Sequence, residues 1–242
     1  MTIRRLLLAA IPMGLLVTAA LAQSPGGGYN VVPAPPRVNV QDKEDVWVLD
    51  FQFKSPRVVT VDIPGRGKKT VWYLRYEVWN RTGAPRYFIP TFELVSDREV
   101  FRDEVLPAVQ NQVAKIEDPT GFYDIKNSVT ITAQPIPASK PDANPIYVTG
   151  VAIFPDVVEK APDLTKFSIF VTGLSNGWAE DPQTHLVKRK TLQLNFRRFG
   201  DARVQSAEVI RFQPPVEWIY RGSGVKAPEV KGAAKPEEGK PG

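Results

Sequence analysis

The chain has 242 residues, of which 31 are Lys or Arg, 26 are Asp or Glu, 23 are Pro, one is His and none is Cys. Without cysteine there is no disulfide framework, thiol nucleophile, iron–sulfur cluster or Cys-based zinc site, and a single histidine excludes a multi-histidine metal centre. We therefore expect no cofactor, and the proline content favours strands and turns over a helical bundle.

The first 22 residues have the pattern of a secretory signal peptide. Arg4 and Arg5 precede an apolar run over residues 6–22, which ends in the A-x-A cleavage pattern Ala20-Leu21-Ala22. The alternative is an uncleaved membrane anchor, but the run is short for a helix that spans a bilayer. No later segment is apolar enough to span one. We therefore expect a secreted or periplasmic protein with no integral membrane segment after cleavage.

Two flanking segments are predicted to be flexible, so that one folded domain lies between them. Residues 23–41 form a leader rich in Gly and Pro, and residues 222–242 form a tail without an aromatic residue. The tail cannot bury enough apolar surface to offset the entropy of ordering it, so we expect it to be disordered. The domain between them, residues 42–221, holds 24 basic and 23 acidic residues, and this net charge of +1 argues against a nucleic-acid partner.

The first part of the domain is predicted to be a succession of strands. Aromatic and β-branched residues fill 46–53 and 57–63, and a polar turn at 65–69 joins the second run to a long strand at 70–79, which makes a hairpin. The long strand alternates, with large apolar residues on one face and two charged residues on the other: Trp72, Leu74, Tyr76 and Val78 against Arg75 and Glu77.

The period changes at residues 103–117, where apolar residues recur every three to four positions and predict one amphipathic helix. Asp103 is a candidate cap, and Pro107 falls in the first turn, where proline is tolerated. Strands resume at 128–132, 147–154, 166–172, 190–196, 208–212 and 216–220. We therefore predict an all-β, immunoglobulin-like β-sandwich of roughly 8–10 strands with one helix inserted at about 103–117.

Two local patterns resemble exported bacterial immunoglobulin-like domains of the telokin-like class, which includes a domain of unknown function usually found in lipoproteins. The patterns are the turn Asn80-Arg81-Thr82-Gly83 and the strand Gly150-Val151-Ala152-Ile153-Phe154, and the resemblance covers about residues 46–172. The whole chain also resembles an uncharacterised family of secreted bacterial proteins. The resemblance implies export and a sandwich fold but no activity. The chain departs from the pattern in lacking the lipoprotein cysteine, in its helix and in its extra strands after Gly177.

The candidate catalytic histidine lacks a recognisable nucleophile. His185 has Asp181 near it in the sequence, but no G-x-S-x-G motif accompanies them, so an ordinary loop histidine is favoured. We therefore predict that the chain is not an enzyme. A hydrolase with an unrecognised site is kept as the second alternative.

The acidic clusters do not have the spacing of a metal site. Asp156, Glu159 and Asp163 share one loop without the spacing of a calcium-binding loop, so we expect no metal there. Adjacent acids, such as Glu117-Asp118, are typical of a solvated turn or a helix cap. The acids therefore predict neither a metal centre nor a catalytic pair.

The densest basic segments are residues 188–190 and 197–198, which flank the strand at 191–196. They predict the solvated charges of an edge strand, with an anionic wall polymer or glycan as the functional alternative. Nucleic-acid binding would require a net basic domain.

Two of the five tryptophans are candidates for ligand binding. Trp72 belongs to the predicted core, whereas Trp79 lies on the opposite face near a turn and Trp178 lies in a loop. Such a pair could stack on sugar rings, although packing is the favoured interpretation. We predict an envelope interaction or structural module whose partner is an unknown envelope protein or glycan, with a carbohydrate- or wall-polymer-binding module as the first alternative.

Overall fold

The computed structural model describes most of the predicted domain and short parts of its flanks. The described residues are 28–33, 46–140, 146–201, 203–204 and 209–226. The predicted signal peptide, residues 1–22, lies outside them, as do most of the leader and residues 227–242 of the tail.

Within these residues there are eleven strands, one long helix and one short helix. The strands are β1 (Asn30–Val31), β2 (Asp50–Phe53), β3 (Arg57–Ile63), β4 (Gly67–Trp79), β5 (Thr91–Val95), β6 (Val100–Arg102), β7 (Tyr147–Phe154), β8 (Lys166–Thr172), β9 (Trp178–Glu180), β10 (Leu186–Arg198) and β11 (Ile210–Lys226). The helices are α1 (Pro107–Glu117) and α2 (Val157–Lys160), and Thr130–Thr132 forms a 3₁₀ turn.

The strands form two antiparallel sheets. In the first sheet β4 lies at the centre, β7 pairs with one side of it, β2 and β3 pair in succession with the other, and β1 pairs with β2. The second sheet has the order β11-β10-β8-β5-β6. Strand β9 pairs with the first part of β10, along the same edge of β10 that pairs with β8 further on. The prediction of an all-β sandwich with one inserted helix is therefore confirmed, and the hairpin of β3 and β4 forms as expected.

The core between the sheets is built on the apolar face of β4. Trp72 and Tyr76 are fully buried, and both contact aromatic residues of the second sheet. The ring centroids of Trp72 and Phe167 are 5.3 Å apart, and those of Tyr76 and Phe92 are 4.8 Å apart. The alternation in the sequence thus identified the core face correctly.

Helix α1 covers part of the opposite face of the first sheet. Its buried residues Val109 and Val113 pack with Val71 of β4 and Ile153 of β7. The helix begins at Pro107 rather than at 103, and proline fits the first helical position because the N–H it lacks would have no partner there. One end of β4 is therefore enclosed by apolar residues on both faces.

The predicted capping role of Asp103 is wrong. Its carboxylate instead accepts hydrogen bonds from the Ser128 hydroxyl and from the N–H of Ile153, the latter at 2.6 Å. Burial raises the pKa of Asp103, and these hydrogen bonds only partly oppose that effect. The residue ties the approach to α1 to strand β7.

The predicted strand at 128–132 is wrong, because the segment forms a 3₁₀ turn. The side-chain oxygen of Asn127 accepts the N–H groups of Val129 at 3.0 Å and of Thr130 at 2.8 Å. An asparagine that satisfies the next backbone N–H groups in this way competes with strand pairing. Four consecutive β-branched residues, from Val129 to Thr132, were therefore not enough to make a strand.

The expectation of solvated edge-strand charges around residues 191–196 is also wrong. Strand β10 is paired on both sides, with β11 on one side and with β8 and β9 on the other. Lys190 and Arg198 are both buried. The Arg198 guanidinium donates hydrogen bonds to the carbonyl oxygens of Leu164, at 2.5 Å, and Pro162, at 3.1 Å. Arg198 is therefore part of the internal structure rather than of a basic patch.

The described part of the predicted leader belongs to the first sheet. Asn30 and Val31 pair with β2, and the N–H of Val32 donates to the Phe51 carbonyl at 3.0 Å. Val32 is buried in the core between the sheets. At the other end, β11 continues to Lys226, five residues into the segment predicted as a tail.

A glycine of β7 allows the core tyrosine of β4 to fit, and its substitution tests this packing. A Cβ atom at Gly150 would lie 2.4 Å from the hydroxyl oxygen of Tyr76, which is fully buried and cannot move aside. We expect Gly150→Ala to lower the free energy of unfolding by about 1–3 kcal/mol, the usual cost of overpacking. Urea unfolding measures this value.

Gly222→Ala is the matched control, because no atom lies within 4 Å of a Cβ placed there. We expect its free energy of unfolding to stay within about 0.5 kcal/mol of the wild-type value. Equal losses in the two variants would contradict the packing argument.

Candidate functional site

The part of the first sheet's outer face that lies beyond α1 carries polar side chains. Arg75 and Glu77 of β4 and Thr149 of β7 lie there, and only 4%, 4% and 2% of each residue is exposed. Thr149 is directly opposite Glu77 in the antiparallel register. We use the name 'polar end' for this part of the face, which consists of these three residues and of the neighbours described below. Its burial is unusual, because charged residues are seldom buried unless they are paired.

A one-residue irregularity in the sheet adds two cations to the polar end. Phe53 pairs with Tyr76 and Arg57 pairs with Tyr73, so four steps along the β2–β3 edge match three steps along β4. An extra residue of this kind reverses which side chains face outward. Lys54 and Arg57 therefore both point toward the outer face, although they are three positions apart.

Glu117, the last residue of α1, is the acceptor for this group of donors. Its carboxylate lies 2.8 Å from Lys54 Nζ, 2.8 Å from Arg57 Nη1 and 3.5 Å from Arg75 Nη1, and it accepts a hydrogen bond from the Tyr73 hydroxyl at 3.0 Å. Burial alone would raise the pKa of Glu117, but Lys54, Arg57 and Tyr73 together hold it below its usual value. Of the two expectations for Glu117-Asp118, the solvated turn is wrong, because 1% of the Glu117 side chain is exposed, whereas Asp118 is the C-cap of α1.

Glu77 forms the second carboxylate of the polar end. It accepts hydrogen bonds from the Tyr29 hydroxyl and from Gln52 Nε2, the latter at 2.6 Å, and it lies 3.5 Å from Arg75 Nη2. Burial and the hydrogen bond to Glu77 raise the pKa of Tyr29 far above its usual value, so this hydroxyl stays protonated. Tyr29, which precedes β1, thus meets residues of β2 and β4 at one carboxylate.

Tyr123 covers Arg75 from a loop that Asp118 shapes. The Asp118 carboxylate accepts the N–H groups of Phe122 at 2.9 Å and Tyr123 at 2.8 Å. The Arg75 guanidinium carbon lies 4.7 Å from the centroid of the Tyr123 ring and 5.4 Å from that of Tyr29. Distances of this size give favourable cation–π contacts, so Arg75 is held between two tyrosines.

Four aromatic side chains form a continuous row at the rim of the polar end. Trp79 lies opposite Tyr147, with ring centroids 5.7 Å apart, and the row continues through Tyr123 at 6.4 Å to Phe122 at 5.2 Å. Phe122 is 77% exposed and Tyr123 is 37% exposed. We call these four residues the aromatic row. It offers flat apolar surfaces next to charged and amide groups, which is a suitable combination for binding an amphipathic ligand.

The structure places the two tryptophans proposed for ligand binding in different sheets. Trp79 ends β4 in the first sheet and joins the aromatic row. Trp178 begins β9 and pairs with Arg189 in the second sheet. The aromatic neighbour of Trp79 on the outer face is therefore Tyr147, and Trp178 is not part of the row.

The candidate histidine lies on the surface between β9 and β10. The His185 side chain is 74% exposed, its backbone φ is 55°, and its Nδ1 atom is 2.7 Å from Glu180 Oε1. Asp181, the neighbour suggested by the sequence, instead accepts the N–H groups of Gln183 and Thr184 and pairs with Lys188 at 2.5 Å. The carboxylate beside the histidine is therefore Glu180.

Each of the three acids considered as calcium ligands is paired with a basic side chain. Asp156 lies 2.9 Å from Lys160, and Glu159 lies 2.8 Å from Lys69. The third acid, Asp163, lies 3.8 Å from Arg98. Over the described ranges, no group of three or more His, Cys, Asp or Glu side chains is arranged to hold a metal ion.

The sequence interpretation missed the polar end as a site. Its members come from residues 29, 52–57, 73–77, 117–123 and 147–149, and the sheet and loop bring them together. One available signal was the Arg75-x-Glu77 pair inside a strand that is otherwise large and apolar. A second was the pair of aromatic residues, Phe122 and Tyr123, that follows Glu117-Asp118 after a short turn.

Comparisons with protein-family models, with curated proteins and with solved structures find no match to this chain. The class of protein is therefore defined by the fold and the site alone. It is a two-sheet β-sandwich that carries a buried charged network and an aromatic row on one outer face. In the part of the chain that the structure describes, no helix is long and apolar enough to cross a membrane.

Glu117→Gln tests the buried network through its pH dependence. The pKa of Glu117 in the folded protein is below the reference value of 4.5, so its contribution to stability is full above that pH and is lost as the pH falls through the folded value. We expect the variant to lose about 3 kcal/mol of unfolding free energy at pH 7, since it leaves the partly buried cations Lys54 and Arg57 without their carboxylate. The difference in unfolding free energy between the variant and the wild type should become smaller below pH 4.5.

Glu104→Gln is the control for this experiment, because Glu104 pairs with Arg66 at 2.9 Å on the surface. An exposed pair of this kind contributes at most about 1 kcal/mol. Denaturant unfolding at several pH values measures both variants. A loss in Glu117→Gln that does not change with pH would contradict the role of the charge.

Proposed function

We propose that this chain is an exported, non-catalytic β-sandwich that serves as a binding module in the bacterial cell envelope, with its ligand on the aromatic row. The observation that carries the proposal is the row itself, in which Phe122 and Tyr123 are exposed while the charged residues beneath them are buried. A phenylalanine that is 77% exposed contributes little burial to stability, and exposed aromatic residues are typical of binding surfaces.

The envelope location is supported by the sequence. The signal-peptide pattern of residues 1–22 accounts for export, and the resemblance to exported bacterial immunoglobulin-like domains agrees with a sandwich of two antiparallel sheets. A binding role without catalysis is supported by the surroundings of His185, whose ring is largely in solvent.

A carbohydrate is the ligand that the composition of the site favours. A sugar ring presents C–H groups on its faces, which stack on aromatic rings, and hydroxyl groups on its rim, which need polar partners. Trp79, Tyr147 and Tyr123 supply rings, and the polar end lies beside them on the same face. A protein partner would favour a larger apolar patch, and the neighbours of the row are charged.

Phe122→Ala is the cleanest test of this proposal, because a side chain that is 77% exposed can be removed without loss of stability. We expect affinity for a soluble envelope polysaccharide, measured by calorimetry or by tryptophan fluorescence, to fall about tenfold. Trp79→Ala should lower the affinity by at least as much, since it removes the largest ring of the row.

Two substitutions away from the row serve as controls. Phe199, which follows β10, is 44% exposed and its ring contacts Arg197 and Arg211, and Trp178 is the other candidate tryptophan. We expect Phe199→Ala and Trp178→Ala to bind as the wild type does. Equal losses in all four variants would place the ligand elsewhere, and pull-down of a protein partner that depends on Phe122 would favour a protein ligand.

A further inference from the structure

Two buried polar atoms at the polar end have no hydrogen-bond partner among the described residues. They are Nε of Arg75 and the hydroxyl oxygen of Thr149, and the two residues are 4% and 2% exposed. Thr149 lies opposite Glu77 and is therefore diagonal to Arg75 across the β4–β7 pair, a separation that an arginine side chain spans. We call these two atoms the donor pair. Buried polar groups are nearly always paired, so the exception indicates a missing partner.

The missing partner is an acceptor. Arg75 Nε can only donate a hydrogen bond, and the Thr149 hydroxyl can donate one to the same group. The cations Lys54, Arg57 and Arg75 outnumber the carboxylates Glu77 and Glu117 in this network by three to two. An oxygen that carries a negative charge would therefore satisfy both donors and balance the network.

The carboxylates already present are occupied by other donors. Glu117 is engaged by Lys54 and Arg57 at 2.8 Å, and Glu77 accepts from Tyr29 and Gln52. The distances from Arg75 to these carboxylates are longer, 3.5 Å in each case. Arg75 Nη1 also donates to the backbone carbonyl of Glu117 at 3.2 Å, so Nε is the atom of this guanidinium left without an acceptor, and Arg75 lies beneath the aromatic row at Tyr123.

We infer that the donor pair binds the carboxylate of an acidic saccharide whose rings lie on the aromatic row. The inference rests on the proposed function and names the chemical class of its ligand. Because Tyr29 and Tyr123 cover Arg75, the Tyr123 ring has to lift from the guanidinium as the carboxylate enters. The sugar rings then stack on Tyr147 and on the lifted Tyr123, and the carboxylate accepts from both donors.

The test compares a tetramer of galacturonic acid with its methyl ester, which keeps the rings and removes the charge. For the full mature chain we expect the acid to bind about tenfold more tightly than the ester, by calorimetry. Thr149→Val removes one donor with little change in shape and none in charge, and it should lower the affinity for the acid more than the affinity for the ester, so that the preference narrows. Thr149→Ser restores the hydroxyl and should restore the preference.

The outcomes separate this inference from the proposed function. Equal binding of acid and ester, or an unchanged preference in Thr149→Val, would overturn the inference, and loss of ester binding in Phe122→Ala would still support a glycan site. If neither form binds, both proposals fail. Tighter binding of a peptide with a free C-terminal carboxylate than of the acidic tetramer would also overturn the inference, since the carboxylate would then come from a protein.

Discussion

The carboxylate of Glu117 is the interaction on which the outer face of the first sheet depends. It ends α1 and receives Lys54 and Arg57 from the β2–β3 edge and Tyr73 from β4, so that one buried charge joins a helix to two strands. Three donors at or below 3.0 Å compensate for the desolvation of a carboxylate that is only 1% exposed. The helix therefore has a fixed position, and the loop that follows it is held over Arg75.

This arrangement gives β4 two different buried faces. The inner face is apolar throughout, with Trp72 and Tyr76 in the core between the sheets. The outer face changes along the strand, from Val71 and Tyr73 under α1 to Arg75 and Glu77 under the tyrosines. A chain that needed only stability would bury apolar residues here, because a buried ion pair is seldom more stabilising than a hydrophobic replacement of the same volume. The retention of charges beneath exposed rings is consistent with a binding role for this face.

The aromatic row and the charged network are parts of one structure. Asp118 places Phe122 and Tyr123 through two backbone hydrogen bonds, and Tyr123 in turn covers Arg75. A ligand that moves the rings of the row would therefore also change the contacts of Arg75 and, because Arg75 contacts Glu117, those at the end of α1. The stability of the network and the geometry of the row should change together when one of these residues is altered.

The sequence by itself determined the sandwich class, the inner face of β4, the hairpin and the existence of the helix, because each follows from a local period of two or of three to four residues. Only the tertiary structure decided that β10 is central, that Glu117 is buried and that residues 128–132 turn instead of pairing. It also decided the site, whose members are up to 120 positions apart. The physical reason is that strand order, the extra residue between Phe53 and Arg57, and the packing of a loop on a distant strand are non-local, and no pattern within one segment encodes them.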